Sequence, residues 1–416
     1  MTVLPADISV SFDFSSGATF GYPFVIGDPK YGVLGTSQLG GSTVPEPIYD
    51  LTPMVYSITI TRGRSIQRDT YETGTATIRV MDPNSYFNPQ NTASPFYGYL
   101  TPLRKIRVSA TTATTQKYLF SGYTTDYKYS YPTNQDTGYV DIVAADAFRL
   151  YQLATVQTVS GATAGQDTGT RINKILDVMQ FPTNMRTIDT GQSLCQADPG
   201  TARPGLEALK NPEFCEQGAF YINTSGTAVF KNRNATIQSV NATPIEFNQT
   251  GGIPYQNPLN FIFDDKLIIN NATMTPVGGT GQTYTNTASV AKYFPHQQNQ
   301  SNLVIDTDAN ALNIAATYVA TRQETTIRVD QMKVNLLDPG VPTDTMIGMD
   351  YFSNVRISNI QPDGSTITKT LQAQGFKWEI TPKSMQVTIT TLEPITDGFI
   401  VGSSTNGIIG VSALTW

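Results

Sequence analysis

Across residues 50 to 150 apolar and polar positions alternate with period two in one run after another. In "YSITIT" (56 to 61), Tyr56, Ile58 and Ile60 share one side and Ser57, Thr59 and Thr61 the other, the mark of a half-buried strand. "TATIRVM" repeats it with Ala76, Ile78 and Val80, and "KIRVSA", "YLFSGYTTDYKYSY" and "GYVDIVAADAF" continue it. These runs predict one antiparallel β-barrel or meander. The period changes at "GTRINKILDVMQF" (169 to 181), where Ile172, Ile175, Leu176 and Met179 fall at helical spacing and Pro182 ends the element. "GAFYINTSGTAVFKNR" then predicts a hairpin with Ser225 and Gly226 at its turn. A second helix is expected from about Ala309 to Arg322, with Leu312, Ala315, Ala316 and Val319 on its apolar face.

The final strands resemble the earlier ones. "IRVS" (106 to 109), "LFSGYTTDY" (119 to 127) and "YVDIVAADA" (139 to 147) have counterparts in "VRIS" (355 to 358), "LQAQGFKWEI" (371 to 380) and "QVTITTLEP" (386 to 394), with Gly122-Tyr123 matching Gly375-Phe376. Order and spacing agree, which predicts an internal duplication. The expected fold is mainly β with α+β inserts: two antiparallel β-barrel-like domains plus a small α+β domain. Its segments are an N-terminal extension (1–49), a first barrel (50–155), the α+β domain (156–255), a second barrel with an inserted helix (256–396) and a C-terminal extension (397–416).

Composition sharpens this. Charged residues are only 14%, while 33 Gly and 25 Pro punctuate the chain, as many short strands and turns require. A net charge of -6 argues against gripping nucleic acid by phosphate neutralisation, which needs clustered Lys and Arg. Cys195 and Cys215 fit no Cys-x-x-Cys pattern, and their spacing neither requires nor excludes a disulfide. The start "MTVLPADISVSF" lacks a basic segment followed by an apolar one, and no apolar run approaches the roughly 20 residues that span a bilayer. Assembly in a cytoplasm is the expectation.

Candidate chemistry is sparse. No G-x-S-x-G elbow, H-E-x-x-H or phosphate loop is present, and His296 is the only histidine, which excludes histidine-pair metal sites. In the polar segment "YFPHQQNQSN" it reads as a solvated loop residue. Two carboxylates facing a sugar would suffice for a glycosidase, and Asp264-Asp265 and Asp306-Thr-Asp308 are the candidates. The second pair imitates a calcium loop, yet Ala311 and Thr317 stand where Gly and Glu belong, so an acidic helix cap is the better reading. No catalytic residue, metal or cofactor is expected. "RGRSIQRDTYETG", with Arg62, Arg64, Arg68, Asp69 and Glu72, reads as a solvated turn with mutual ion pairs. "DPNSYFNPQNTASPFYGYLTP" (82 to 102) differs: four prolines and five aromatic residues make it a preshaped object built to pack.

"ITITRGR...YETGTATIRVMDPNSYFNPQNTASPFYGYLTPLRKIRVSA" resembles the opening domain of the baseplate or tail hub family, minor tail proteins of long-tailed bacteriophages. Arg62-Gly63-Arg64, Gly74-Thr75, Asp82, Phe87, Pro89, Ser94-Pro95, Tyr97-Gly98, Leu100, Pro102 and Arg107 carry the likeness. "GAFYINTSGTAVFKNR" and "GFKWEITPKSMQVTITTLEP" look like that family's middle and final domains. The resemblance implies a structural virion protein: a homotrimer whose two barrels per chain form a pseudo-six-fold ring. That ring would join the tail tube and distal tail protein to a three-fold tip and line or close the DNA path. Implied partners are a distal tail protein or tail tube, a tip, spike or fibre protein, and the tape-measure protein, with DNA passing without specific binding. The alternatives are a receptor- or carbohydrate-binding minor tail protein, or a distal tail protein. Expected assembly-interface residues are Arg62, Arg64, Phe87, Phe96, Tyr97, Tyr99, Ile409 and Trp416. The last two lie in the uncharged apolar tail "GIIGVSALTW", expected to add a strand to a neighbour.

Overall fold

The computed structural model describes residues 4–14, 48–65, 69–131, 138–239 and 242–393. Ile409 and Trp416 lie outside the described residues. The first strands are β1 (Asp7–Asp13), β2 (Ile48–Asp50), β3 (Val55–Ser65), β4 (Thr70–Tyr71), β5 (Thr75–Met81), β6 (Lys105–Thr111), β7 (Gln116–Ser130) and β8 (Tyr139–Ala145). A mixed segment follows, with α1 (Phe148–Leu153), β9 (Thr155–Val156), β10 (Gln166–Asp167), α2 (Thr168–Val178), β11 (Arg186–Ile188), β12 (Leu194–Cys195), β13 (Arg203–Pro204), α3 (Gly205–Glu216), β14 (Ala219–Ile222), β15 (Ala228–Lys231) and α4 (Arg233–Gln238). The remainder holds β16 (Ile245–Asn248), β17 (Asn271–Pro276), β18 (Gln282–Thr285), α5 (Thr287–Tyr293), β19 (Gln297–Leu303), α6 (Asp308–Ala320), β20 (Gln331–Asn335), α7 (Thr343–Gly348), β21 (Asn354–Ile360), β22 (Thr366–Thr381) and β23 (Ser384–Leu392).

Alternation builds two meanders, β6–β7–β8 and β21–β22–β23, each antiparallel, with β5 added to β8 and β20 to β23. Both central strands are long and contain six consecutive buried residues, 119–124 and 371–376, and both bulge against their third strand. The meander expected to recur therefore does. The Gly-aromatic pairs, however, occupy different rungs: Gly122 lies opposite Ile106, whereas Gly375 lies opposite Gly63 of β3.

That last pairing joins the halves. β22 bonds to β3, and the ladder runs β16-β21-β22-β3-β5-β8-β7-β6-β1-β2 within a 13-stranded sheet. Its path is open among the described residues, ending at β16 and β2, so the barrel-like units are meanders merged side by side. A Cβ on Gly63 would stand 2.9 Å from the Gly375 Cα, closer than real Cβ contacts allow. Gly63 is required where the meanders join, and Gly375 opposite it leaves little room, since a Cβ there would lie 3.1 Å from the Arg62 carbonyl oxygen. Gly63 was expected in a turn; instead β3 continues straight through Arg62-Gly63-Arg64. A bulge between Val55 and Ser57 also turns Tyr56 outward, leaving it 53% exposed rather than on the core side with Ile58 and Ile60.

α2 forms where its apolar spacing predicts, and the Asp167 carboxylate caps it at the Thr170 N–H. The hairpin β14–β15 turns at Ser225-Gly226, with Gly226 at a φ of 82°. α6 also forms, but its cap is the Thr307 hydroxyl, which accepts from the Asn310 N–H, and not an acid. Asp308 sits in the first turn, where a carboxylate meets the positive helix end. One core runs through both meanders and the mixed segment, and a smaller one, containing Cys195 and Cys215, lies under β17, β19 and α6. Both cysteines are free and buried, and burial pushes the Cys195 thiol up to about 12.

Candidate assembly surface

The aromatic loop between β5 and β6 is a chain of turns. Main-chain N–H groups of Ser85, Asn88, Asn91, Ser94 and Tyr97 each donate to the carbonyl three residues back, at 3.0 to 3.2 Å. Asp82, Ser85, Asn88, Asn91 and Ser94 therefore each open a turn, and Pro83, Pro89 and Pro95 stand second in the first, third and fifth. Those are the positions where β-turns favour a short polar side chain and a proline with fixed φ. Asn88 and Asn91 reinforce this by accepting from the N–H two residues on, each at 3.0 Å.

Asp82, fully buried, organises the start of the loop. Its carboxylate accepts from the Tyr86 N–H (2.7 Å), the Phe87 N–H (3.0 Å) and the Tyr131 hydroxyl (2.8 Å). At the other end the Tyr127 hydroxyl donates to the Thr101 carbonyl at 3.2 Å. Tyr127 of β7 and Tyr131, one residue past its end, thus fasten both ends. Reading for aromatic content alone passes over Asp82 as the anchor; the period-three recurrence of Asp, Ser and Asn was the available signal.

Inside the loop, Phe96 packs on Phe14 (5.2 Å between centroids), Tyr49 (4.8 Å) and Phe87 (5.0 Å). Phe87 and Phe96 are buried within their own chain, which corrects the expectation that they offer surface to a partner. The turns fold Phe96 under the loop, against Phe14 just past β1 and Tyr49 of β2, with Phe87 packed beside it. Tyr97 is 50% exposed, and Tyr99 is half-buried with its carbonyl accepting from Arg104. Of the loop's expected interface side chains, Tyr97 is the one turned fully outward.

Arg62 and Arg64 are likewise drawn inside, because β3 extends through them and strand parity carries Arg62 to the side of Ile58 and Ile60. The Arg62 guanidinium lies 3.4 Å from the Asp350 carboxylate, donates to the Ile222 carbonyl at 3.1 Å and covers the Tyr351 ring at 4.8 Å. It thereby fastens β3 to β14 and to the turn before β21. Arg64 pairs with Asp69 at 2.5 Å, and Asp69 also pairs with Arg322 at the end of α6. The ion pairs expected of a solvated turn exist, but as buried ties between regions. Beneath them Asp146, buried at the end of β8, accepts from the Gly74 N–H (2.7 Å) and the Phe148 N–H (3.0 Å). Burial pushes its carboxyl up to about 7 against the opposing pull of those N–H groups, Arg62 and Lys210.

The acidic pairs do not converge. Asp264 is gripped by Arg328 at 2.5 and 3.0 Å, and that bonding holds its carboxyl at about 2. Asp265 points instead to His296, at 3.8 Å, whose ring also meets the Tyr293 carbonyl. Asp306 bonds the Asn310 side chain, and Asp308 bonds the Thr280 N–H and hydroxyl. Among the described residues no cluster of His, Cys, Asp and Glu is placed to hold a metal, and no helix is long and apolar enough to cross a membrane.

Solved tail proteins share the overall fold of this chain. The 43 kDa tail protein of prophage MuSo2 from Shewanella oneidensis has it, with a TM-score of 0.55 and 14% identity over 83% of this chain and 96% of that one. A tail protein from Neisseria meningitidis MC58 does too, with a TM-score of 0.53 and 10% identity over 82% and 92%. No family model and no curated protein sequence matches the chain. The likeness is carried by the fold, in agreement with the resemblance read in residues 58 to 110.

Proposed function

We propose that the chain is a structural subunit of a phage tail tip: a homotrimeric hub that joins a six-fold tail tube or distal tail protein to a three-fold tip. The observation that carries this reading is the pair of similar meanders held edge to edge by β3 and β22. Three copies would present six such units, which reconciles three-fold and six-fold neighbours in one ring. The tail-protein fold supports the same role. A net charge of -6 suits a wall along which DNA slides without being gripped. The further partners proposed are a spike or fibre protein and the tape-measure protein, within a virion tail assembled in the host cytoplasm.

The role is read as non-catalytic. Asp264 is neutralised by Arg328, and Asp306 and Asp308 serve the start of α6, so neither pair leaves two carboxylates free to face a substrate. Mass of the purified chain by light scattering is the test: a trimer is expected, and a hexamer would favour a distal tail protein. Glycan-cleaving activity in a zymogram, lost on substitution of these acids, would overturn the scaffold reading.

A further inference from the structure

The sheet of β17, β18 and β19 stands apart from the large one, and its order is β18-β17-β19, so β18 and β19 are both edges. β19 is closed at one end only. The Asn211 side chain donates to the Asn302 carbonyl and accepts from the Val304 N–H, and Gln196 donates to the Val304 carbonyl. Residues 297–301 carry no strand partner other than β17 among the described residues, and they alternate between exposed and half-buried. On the opposite edge, residues 283–285 of β18 are exposed.

Open edges are normally protected by charge, proline or a cover, since their unpaired N–H and C=O groups recruit other strands. "QTYT" and "QQNQSNL" contain no charged residue and no proline, and among the described residues no further strand lies on either edge. In an acidic chain, whose copies repel, two neutral strands are suitable places for copies to meet. Direction also fits. β18 is antiparallel to β17 and β19 is parallel to it, so β18 and β19 run oppositely. A rotation axis roughly along the strands preserves direction, and it sets β19 of one copy antiparallel to β18 of the next. That is the stronger pairing mode, and a head-to-tail contact of this kind closes into a ring.

We propose that β19 of one copy pairs with β18 of the next, joining the three-stranded sheets into a ring around the symmetry axis. The inference rests on the homotrimer reading and names the contact that would hold it together. Antiparallel strand addition would satisfy the main-chain groups of residues 297–301, with Gln298, Asn299 and Gln300 supplying side-chain hydrogen bonds.

The test uses the full chain and a short bis-maleimide linker. Cys195 and Cys215 are both 0% exposed, so the unmodified chain serves as an unreactive control. Thr283 and Asn299 both lie opposite Thr273 within one copy, so each chain carries a single new cysteine: co-expressed Thr283→Cys and Asn299→Cys chains should give covalent dimers and nothing larger, whereas either variant alone should give none. Tyr284→Cys with Ser301→Cys is the second pair, should the first disturb folding as judged by circular dichroism. A trimeric mass with no cross-link from either pair would overturn this contact and leave the trimer standing. Dimers from Asn299→Cys alone would mean like edges meet, and would also overturn it. A monomeric or hexameric chain without cross-links would remove the trimer reading and this contact together.

Discussion

Phe96 and Tyr97, the last two residues of one turn, have opposite tasks: the first ring lies under the loop and the second points outward. Phe96→Ala should destabilise the chain by roughly 3–5 kcal/mol, the usual cost of emptying a buried aromatic site. Tyr97→Ala should change stability by about 0.5 kcal/mol or less, as for an exposed position, while lowering the trimer fraction. Urea denaturation and light scattering together separate the two effects; equal stability losses would refute the division. Asp146 gives a pH prediction. Its folded carboxyl titrates near 7, above its unfolded value, so the folded state holds the proton more tightly. The stabilisation from this group is fully present below the unfolded value and is lost as pH rises through 7. Denaturation midpoints between pH 5 and 8 should fall less steeply in Asp146→Asn than in the parent chain, and an unchanged slope would count against it.

At the scale of elements, the crossing of β3 and β22 is the most constrained place in the chain. An added methyl at Gly63 meets backbone, which cannot swing aside as a flexible side chain can. Gly63→Ala should therefore cost about 1–3 kcal/mol, the range for overpacking, measured by chemical denaturation. A neutral result would mean that the strands can part there. The loop at 82 to 102 is an element of another kind, held by side chains acting on their own backbone. Asp82→Ala removes three acceptor bonds at one buried carboxylate and should expose the loop to proteolysis before the strands on either side.

For the whole molecule, the ion pairs of Arg62, Arg64 and Arg322 explain how regions far apart in sequence share one core. Arg62 ties β3 to Ile222 of β14 and to Asp350 before β21, and Asp69, held by Arg64, ties the β3–β4 loop to Arg322 just after α6. Arg62→Ala leaves the buried Ile222 carbonyl without its donor while Asp350 stays partly solvated, so it should destabilise by roughly 1–3 kcal/mol. Its unfolding should then proceed in more than one step, visible as non-coincident transitions by fluorescence and circular dichroism. Assembly belongs to this scale as well. Deleting residues 398 to 416, with Ile409 and Trp416, should impair incorporation into tails, and normal assembly would remove the strand-addition role expected of that segment.

Period-two and period-3.6 patterns are local properties, so the strands of both meanders, α2, α6 and the hairpin at Ser225-Gly226 were legible from residues alone. The mainly β class followed from them. The recurrence of Asp, Ser and Asn ahead of proline likewise specified the loop's turns, since each turn closes within four residues. What no local pattern could specify was which strand lies beside which. Gly63 resembled a turn residue until Gly375 was seen against it, and Arg62 and Arg64 resembled solvated charges until β3 carried them inward to Asp350 and Asp69. Phe87 and Phe96 looked available to a partner because burial depends on Phe14, just past β1, lying beneath the loop, a contact made across about seventy residues or more of chain. Sequence determined the elements and their faces; only the tertiary structure decided which faces were already occupied, because occupancy is set by neighbours distant in the chain.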